Sequence, residues 1–192
     1  MITLQAKEFY ETYSAKDPWE QSAFRWVKKM ENDTRGQFGE RIISEALHLH
    51  SNFTFDMDYN NQNLHEDGHY DLKINGKRIE VKTSCRTVGG SWQHEPLYAD
   101  DKCDIVIFID FDYNNLHLSV LKSEDLPLGR TSEFFKNKKG CLRKNKDDGY
   151  KLDFSNKTIR DLIVFGLAKT YDATVTVEQI SEFLGDRINE LI

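Results

Sequence analysis

The sequence predicts an α/β protein in which helices flank a sheet, folded as one domain over residues 1–192. Helical periodicity occupies both terminal thirds of the chain, and a series of strand patterns lies between them. A chain of 192 residues is normally one domain and is long enough to bury a substantial core. Its 39% hydrophobic and 30% charged residues are typical of an ordinary soluble globular protein.

Three helices are predicted in the N-terminal third. Residues 3–14 indicate a short helix, and the pair Asp17–Pro18 is typical of the start of a second one. Thr34, followed three residues later by Gln37, has the spacing of a capping box and predicts a third helix through about His48.

The middle of the chain is predicted to be mostly strand. Residues 53–57 indicate a short strand, residues 70–83 a hairpin, and residues 84–101 an irregular segment. The nearly continuous β-branched and aromatic run at 104–111 is typical of a buried central strand, and 116–121 indicates the next strand.

The C-terminal third, about residues 157–192, is predicted to be a helical extension. Apolar spacing predicts one helix from Thr158 to Tyr171 and another from Thr176 to Ile192. Such a pair could be a DNA-reading helix-turn-helix, but amphipathic pairs that only cover a sheet are far commoner, and we favour that interpretation.

The predicted hairpin carries the most informative charges. Asn75–Gly76 is the strongest short-range signal for a two-residue turn, and this turn would place Asp71 directly across from Glu80, with Lys82 on the same side. Like charges placed directly opposite each other are destabilising, so the two carboxylates need a compensating cation, for which a divalent metal ion is the natural partner. The other face would carry core residues: Tyr70, Leu72, Ile74, Ile79 and Val81.

A helix glutamate, then a hairpin bearing Asp and Glu-x-Lys, then two more strands, resembles the PD-(D/E)XK nuclease superfamily. The matching residues are Glu40, Asp71 and Glu80-Val81-Lys82, and the resemblance covers about residues 34–122. The proline that names the motif is absent, because His69-Tyr70 precede Asp71. The resemblance implies a restriction-endonuclease-like core, with a four- to five-stranded mixed sheet flanked by helices. It also implies phosphodiester hydrolysis that depends on Mg²⁺, with Mn²⁺ as a substitute.

The resemblance also implies a role for each matched residue of the hairpin. The carboxylates of Asp71 and Glu80 and the carbonyl of Val81 would hold the ion, a donor set that suits Mg²⁺. Lys82 would orient the attacking water or stabilise the charged transition state.

Two further positions are assigned by resemblance. Glu40 would orient water around the ion; Glu45, on the opposite edge of the same helix, is its rival. Gln93 follows the Glu-x-Lys strand, where relatives often place a polar helper, although a loop residue without such a role is an equal alternative.

DNA is the predicted partner, and a homodimer is plausible because many such nucleases are dimers. The net charge of −6 is unusual for a nucleic-acid-binding protein, but one segment is locally basic. That segment either contacts phosphates or is a solvated loop; its cations are Arg130, Lys136, Lys138, Lys139, Arg143 and Lys144.

Three cysteines far apart in sequence argue against a disulfide framework and favour a reducing, cytoplasmic location. No apolar run of transmembrane length and no leader pattern is evident, so no membrane partner is expected.

Other functions remain open at this level. The charged face of the hairpin could be an ordinary solvated strand pair. The chain could be an inactive DNA-binding or accessory module with the same fold, a nuclease acting on RNA or branched DNA, or an interaction protein that uses its acidic surface.

Overall fold

The structure, a computed structural model, describes residues 17–57, 70–98, 102–135, 141–142 and 149–192. The predicted helix at 3–14 lies outside these residues. The described strands are β1 Phe55–Met57, β2 Leu72–Ile74, β3 Lys77–Cys85, β4 Ser91–Leu97, β5 Ile105–Phe111, β6 Asn115–Lys122, β7 Cys141–Leu142, β8 Tyr150–Ser155 and β9 Ala168–Asp172.

Six of these strands form one mixed sheet, in the spatial order β1-β2-β3-β5-β6-β9. Strands β3 and β5 are parallel, and all other neighbours in this sheet are antiparallel. A second, antiparallel sheet has the order β4-β8-β7. The central strand β5 is buried along its whole length, as its apolar sequence predicts.

Helices cover both faces of the main sheet. They are α1 Arg25–Lys29, α2 Asn32–Leu47, α3 Asn156–Val164 and α4 Val177–Leu191. Helices α2 and α4 contribute to one hydrophobic core with the first face of the sheet. The small sheet and α3 enclose a second core against the other face. Within the described part of the chain, none of the helices has the length and apolar character needed to span a membrane.

The predicted fold class, a mixed sheet flanked by helices, is confirmed, but the sheet has six strands rather than four or five. The additional strand comes from the segment predicted as a helix from Thr158 to Tyr171. Helix α3 ends at Val164 in a Schellman motif, in which the Leu167 N–H donates to the Leu162 carbonyl (2.9 Å). The chain then forms β9 beside β6, so the C-terminal extension is not purely helical, and the helix-turn-helix alternative is wrong.

Two more predictions of secondary structure need correction. The helix expected from Asp17–Pro18 begins only at Arg25, because the Asp17 carboxylate accepts a hydrogen bond from the Trp19 N–H (3.0 Å) and holds a turn instead. The segment 84–101, predicted as irregular, contains the end of β3 and all of β4.

The hairpin turn forms as predicted. Asn75 and Gly76 both have positive φ, +49° and +78°, as a type I′ turn requires, and Ile74 pairs with Lys77. We expect Gly76→Ala to lower the free energy of unfolding by about 1 kcal/mol, since an L-residue is strained at this φ although its Cβ meets no atom within 4 Å. Urea denaturation would measure this change in the free energy of unfolding. Gly89→Ala, at a turn glycine without positive φ, is the control and should have almost no effect.

Candidate functional site

The ladder between β2 and β3 ends one residue earlier than the sequence predicts. Its last pair is Leu72 with Ile79, and the predicted pair of Asp71 with Glu80 is not formed. The Asp71 N–H instead donates to the Ile79 carbonyl (2.9 Å), and Oδ2 of Asp71 accepts a hydrogen bond from the Val81 N–H (2.7 Å). The Asp71 carboxylate therefore occupies the place that the next residue of β2 would take beside β3.

The face predicted for Tyr70 is also wrong. Tyr70 is buried, but it packs in the second core with Trp92, Val106 and Phe108 rather than in the first core. The alternation of the strand is broken at Asp71, and the aromatic ring reaches the opposite side of the sheet. The other predicted core residues of the hairpin lie in the first core as expected: Leu72, Ile74, Ile79 and Val81.

A cleft of about 380 Å³ lies between α2, β3 and β4. It brings together every residue that the sequence assigned to catalysis, to the metal or to the helper position: Glu40, Asp71, Glu80, Val81, Lys82 and Gln93. The hairpin supplies the central four of these, α2 supplies the glutamate, and β4 supplies the glutamine.

Glu80 carries the unusual electrostatics of this cleft. Its side chain is almost fully buried and forms an ion pair with Lys82. Burial, followed by the charge of Asp71, raises the pKa of Glu80 to about 8, although the ion pair with Lys82 acts in the opposite direction. Glu40 adds a smaller upward contribution to the same pKa. The ammonium group of Lys82 therefore does not offset the combined effect of burial and the two neighbouring carboxylates.

Lys82 stays charged in this environment. Burial alone would lower its pKa, but the charge of Glu80, the hydrogen bond to Glu80 and the charge of Asp71 outweigh burial, and the pKa of Lys82 is raised. An ammonium group is thus held beside two carboxylates within the cleft.

The structure distinguishes the two helix glutamates. Glu40 lines the cleft and contributes to the raised pKa of Glu80. Glu45 is exposed and pairs with Arg41 one turn earlier on the same helix, with 2.8 Å between Nε and Oε1. Glu40 is therefore the helix carboxylate that the cleft contains.

The oxygen atoms around Asp71 and Glu80 fit Mg²⁺, which keeps several waters and is usually held by one or two carboxylates. Burial and the neighbouring carboxylates raise the pKa of Glu80, so a cation at this place would favour its ionised form. The Val81 N–H points toward Asp71, and the carbonyl of a strand residue points to the same edge as its N–H, so a third oxygen faces this side. Among the described residues, no group of three or more His, Cys, Asp or Glu side chains could hold a metal ion. A Mg²⁺ ion bound here would have two carboxylates, a carbonyl and water as its donors.

The cleft also contains charged residues that the sequence interpretation missed. Glu95 lies beside Gln93 on the same face of β4, and reading 91–97 as a strand would have identified it. Lys28 and Arg35 line the cleft from α1 and α2. Nothing in the local pattern around Lys28 distinguishes it from an ordinary surface lysine.

The basic segment is only partly described. Arg130 donates hydrogen bonds to two backbone carbonyls of its own loop, those of Leu126 (3.0 Å) and Ser123 (2.7 Å), which is a structural role. The other cations predicted to contact nucleic acid lie outside the described residues: Lys136, Lys138, Lys139, Arg143 and Lys144.

A six-stranded mixed sheet flanked by helices is consistent with the restriction-endonuclease-like fold that the sequence resemblance implies. Among solved structures, the chain is similar to a restriction endonuclease in complex with substrate DNA, with 13% sequence identity and a TM-score of 0.42. The similarity covers 81% of this chain and 80% of that one. No protein-family model matches the chain, and no curated protein does. We therefore infer function from the residues of the cleft.

Proposed function

We propose that this protein is a Mg²⁺-dependent nuclease that cleaves phosphodiester bonds in DNA. The observation that carries the proposal is the convergence of Asp71, Glu80 and Lys82 in one cleft, where burial, followed by the charge of Asp71, raises the pKa of Glu80 to about 8. Perturbed carboxylates within a cleft are typical of functional sites, and an excess of carboxylates next to one lysine suits a divalent cation and a phosphate.

Asp71 and Glu80 would hold Mg²⁺ together with the carbonyl of Val81. The hydrogen bond from the Val81 N–H keeps the Asp71 carboxylate at the end of β2, so that it faces β3 before any ligand binds. When bound, Mg²⁺ lowers the pKa of a water molecule and neutralises charge that develops on the phosphate.

Lys82 and Glu40 act on the reacting groups through their charge. Glu80 orients the ammonium of Lys82 by direct contact, and this ammonium stabilises negative charge on the phosphate as the bond breaks. The carboxylate of Glu40, held on α2, accepts a hydrogen bond from the attacking water and orients it. DNA as the substrate and a homodimer remain predictions from the sequence.

Cleavage assays with purified protein test this proposal. Incubation with plasmid DNA should give nicked or linear products with Mg²⁺ or Mn²⁺ and none with EDTA. We expect Asp71→Asn and Lys82→Met each to lower the rate by at least about a hundredfold, because each removes a charge that acts in the transition state.

Glu45→Gln is the matched control, since Glu45 is exposed on the same helix as Glu40 and lies outside the cleft. Cleavage that survives EDTA or the Asp71→Asn substitution contradicts the proposal. Salt-sensitive DNA binding without any cleavage would instead support the inactive-module alternative. Parallel digestion of RNA, single-stranded DNA and branched DNA defines the substrate.

A further inference from the structure

The ammonium group of Lys28 lies in the wall of the cleft, at the end away from Glu80. It lies in α1, and its Nζ is 3.4 Å from the backbone carbonyl of Arg86 and 5.5 Å from the centre of the Trp19 ring. Both contacts orient the ammonium group without neutralising its charge.

The helix that carries Lys28 is short but firmly attached. Val27 is completely buried, and Arg35 of α2 donates hydrogen bonds to the carbonyls of Val27 (3.3 Å), Lys28 (3.4 Å) and Met30 (2.7 Å). These bonds attach the C-terminal end of α1 to α2, and the Val27 carbonyl also accepts a hydrogen bond from the Met30 N–H (3.1 Å). The position of Lys28 is therefore fixed by the fold.

Among the described residues, three cations line the cleft, and they differ in what they are bound to. Lys82 is paired with Glu80, and Arg35 directs its guanidinium to backbone carbonyls and to the side chain of Asn32. Within the described parts of the chain, Lys28 forms no ion pair with a carboxylate. In a protein with a net charge of −6, an ammonium group left without an acidic partner inside a cleft is suited to an anion.

The distance between the two ends of the cleft limits what that anion is. Lys28 touches Arg86, the residue after Cys85 at the end of β3, and Cys85 lies five residues along the same strand from Glu80. At about 3.3 Å per residue, the strand separates Glu80 from Cys85 by about 16 Å. Successive phosphates of one DNA strand rise by about 3.4 Å along the helix axis, so this distance corresponds to several nucleotides.

We infer that Lys28 binds a backbone phosphate several nucleotides away from the one that is cleaved, so that the cleft takes a polynucleotide strand rather than a mononucleotide or a simple phosphate ester. This inference rests on the proposed function and adds a binding site for a second phosphate of the substrate strand. It makes Lys28 a binding residue, whereas Asp71, Glu80 and Lys82 act at the reacting phosphate.

A binding experiment tests the inference without requiring cleavage. Fluorescence anisotropy with a labelled DNA duplex in Ca²⁺ should show that Lys28→Gln weakens binding by about fivefold to tenfold and lowers the slope of log K against log salt by about 1. Lys28→Arg keeps the charge and should restore most of the affinity. Lys29→Gln removes an exposed lysine next in sequence that does not line the cleft, and it should change binding little.

A kinetic experiment separates Lys28 from the reacting groups. With an oligonucleotide and Mg²⁺, Lys28→Gln should raise KM and leave kcat nearly unchanged. Bis(p-nitrophenyl) phosphate has a single phosphate, and the Lys28→Gln variant should hydrolyse it as fast as the wild type does. The Asp71→Asn variant should be inactive on both substrates. Circular dichroism melts of each variant verify that the fold is retained.

The outcomes distinguish this inference from the proposed function. Equal effects of Lys28→Gln and Lys29→Gln, an equal loss on the single-phosphate ester, or no DNA binding by the wild type would each overturn the role of Lys28. DNA binding that depends on Lys28, with no hydrolysis under any metal, would support the role of Lys28 and reject the nuclease activity. Hydrolysis that depends on Asp71 but not on Lys28 would support only the nuclease activity.

Discussion

Replacing Glu80 by glutamine is expected to abolish Mg²⁺-dependent cleavage and, in the same protein without metal, to raise the free energy of unfolding. The loss of activity should be about a thousandfold or more, because the substitution removes a charged oxygen donor for the ion and the carboxylate that orients Lys82. If the charged face of the hairpin were only an ordinary solvated strand pair, one substitution would not be expected to lower activity and raise stability together.

The effect on stability follows from the raised pKa of Glu80. The unfolded chain releases this proton near the ordinary pKa of 4.5, whereas the folded protein keeps it up to about pH 8. Between these values the folded state binds more protons than the unfolded state, so the free energy of unfolding falls as pH rises. Glutamine has no proton to lose. The gain in stability from Glu80→Gln should therefore grow with pH and reach the order of 1–3 kcal/mol above pH 8, after the cost of leaving Lys82 without its partner.

Urea denaturation with EDTA, at about pH 6 and about pH 9, measures the difference in stability. Repeating it with Mg²⁺ should stabilise the wild type by about 2.7 kcal/mol when the ion is at a hundred times its dissociation constant, and should not stabilise Glu80→Gln. Glu45→Gln, at an exposed carboxylate, is the control and should show neither effect. A lower stability of Glu80→Gln at both pH values would mean that the pair with Lys82 stabilises the fold and that the pKa of Glu80 is not raised.

The hairpin shows which part of the site short-range sequence determines. The turn at Asn75–Gly76 depends on two residues with positive φ, and it sets the register as far as Leu72 and Ile79. The sequence did not predict that the ladder ends at Leu72 and Ile79. This end depends on where Tyr70 packs, and the core that receives Tyr70 is built by strands far along the chain. Local pattern thus predicted charged residues that line one cleft, but not the geometry between them.

The C-terminal strand shows how tertiary contacts override periodicity. The apolar spacing from Thr158 to Tyr171 fits a helix, but buried Leu167 and Ala168 pack in the second core, and the chain from Ala168 to Asp172 pairs with the edge of β6. An open strand edge in a sheet is a strong partner for any chain that reaches it. That edge is formed by residues about 50 positions earlier, so no local window of sequence contains the information.

Lys28 and Glu40 show the same contrast within the site. Glu40 was assigned by resemblance, and its place beside the cleft follows from the long helix α2, whose apolar face packs in the first core. Lys28 was missed because α1 has only five residues, and its placement is set by hydrogen bonds from Arg35 and by the burial of Val27. A residue on a short segment is positioned by tertiary contacts that the sequence does not display.

Replacing Gly39 by alanine is expected to separate α2 from the sheet and to lower both stability and activity. A Cβ at this position would lie 1.8 Å from Oγ1 and 3.0 Å from Cβ of Thr83, and 3.3 Å from Cδ1 of Ile109. These atoms belong to the buried contact between α2 and strands β3 and β5, so the helix itself must move. We expect a loss of about 1–3 kcal/mol in the free energy of unfolding, as for other overpacked cores. Activity should also fall, because Glu40 is the next residue on the helix.

Gly36→Ala is the matched control on the same helix, measured by the same urea denaturation. Within the part of the chain that the structure describes, a Cβ at Gly36 would meet only Oε1 of Glu40, at 3.8 Å, which is an ordinary contact. Alanine should therefore stabilise α2 by about 0.5–1 kcal/mol through helix propensity alone. The double substitution Gly39→Ala with Thr83→Ala should recover part of the loss, since Oγ1 of Thr83 is the nearest obstacle and has no hydrogen-bond partner among the described residues. Equal and small effects at both glycines would show that α2 is not held against β3 closely enough to position Glu40.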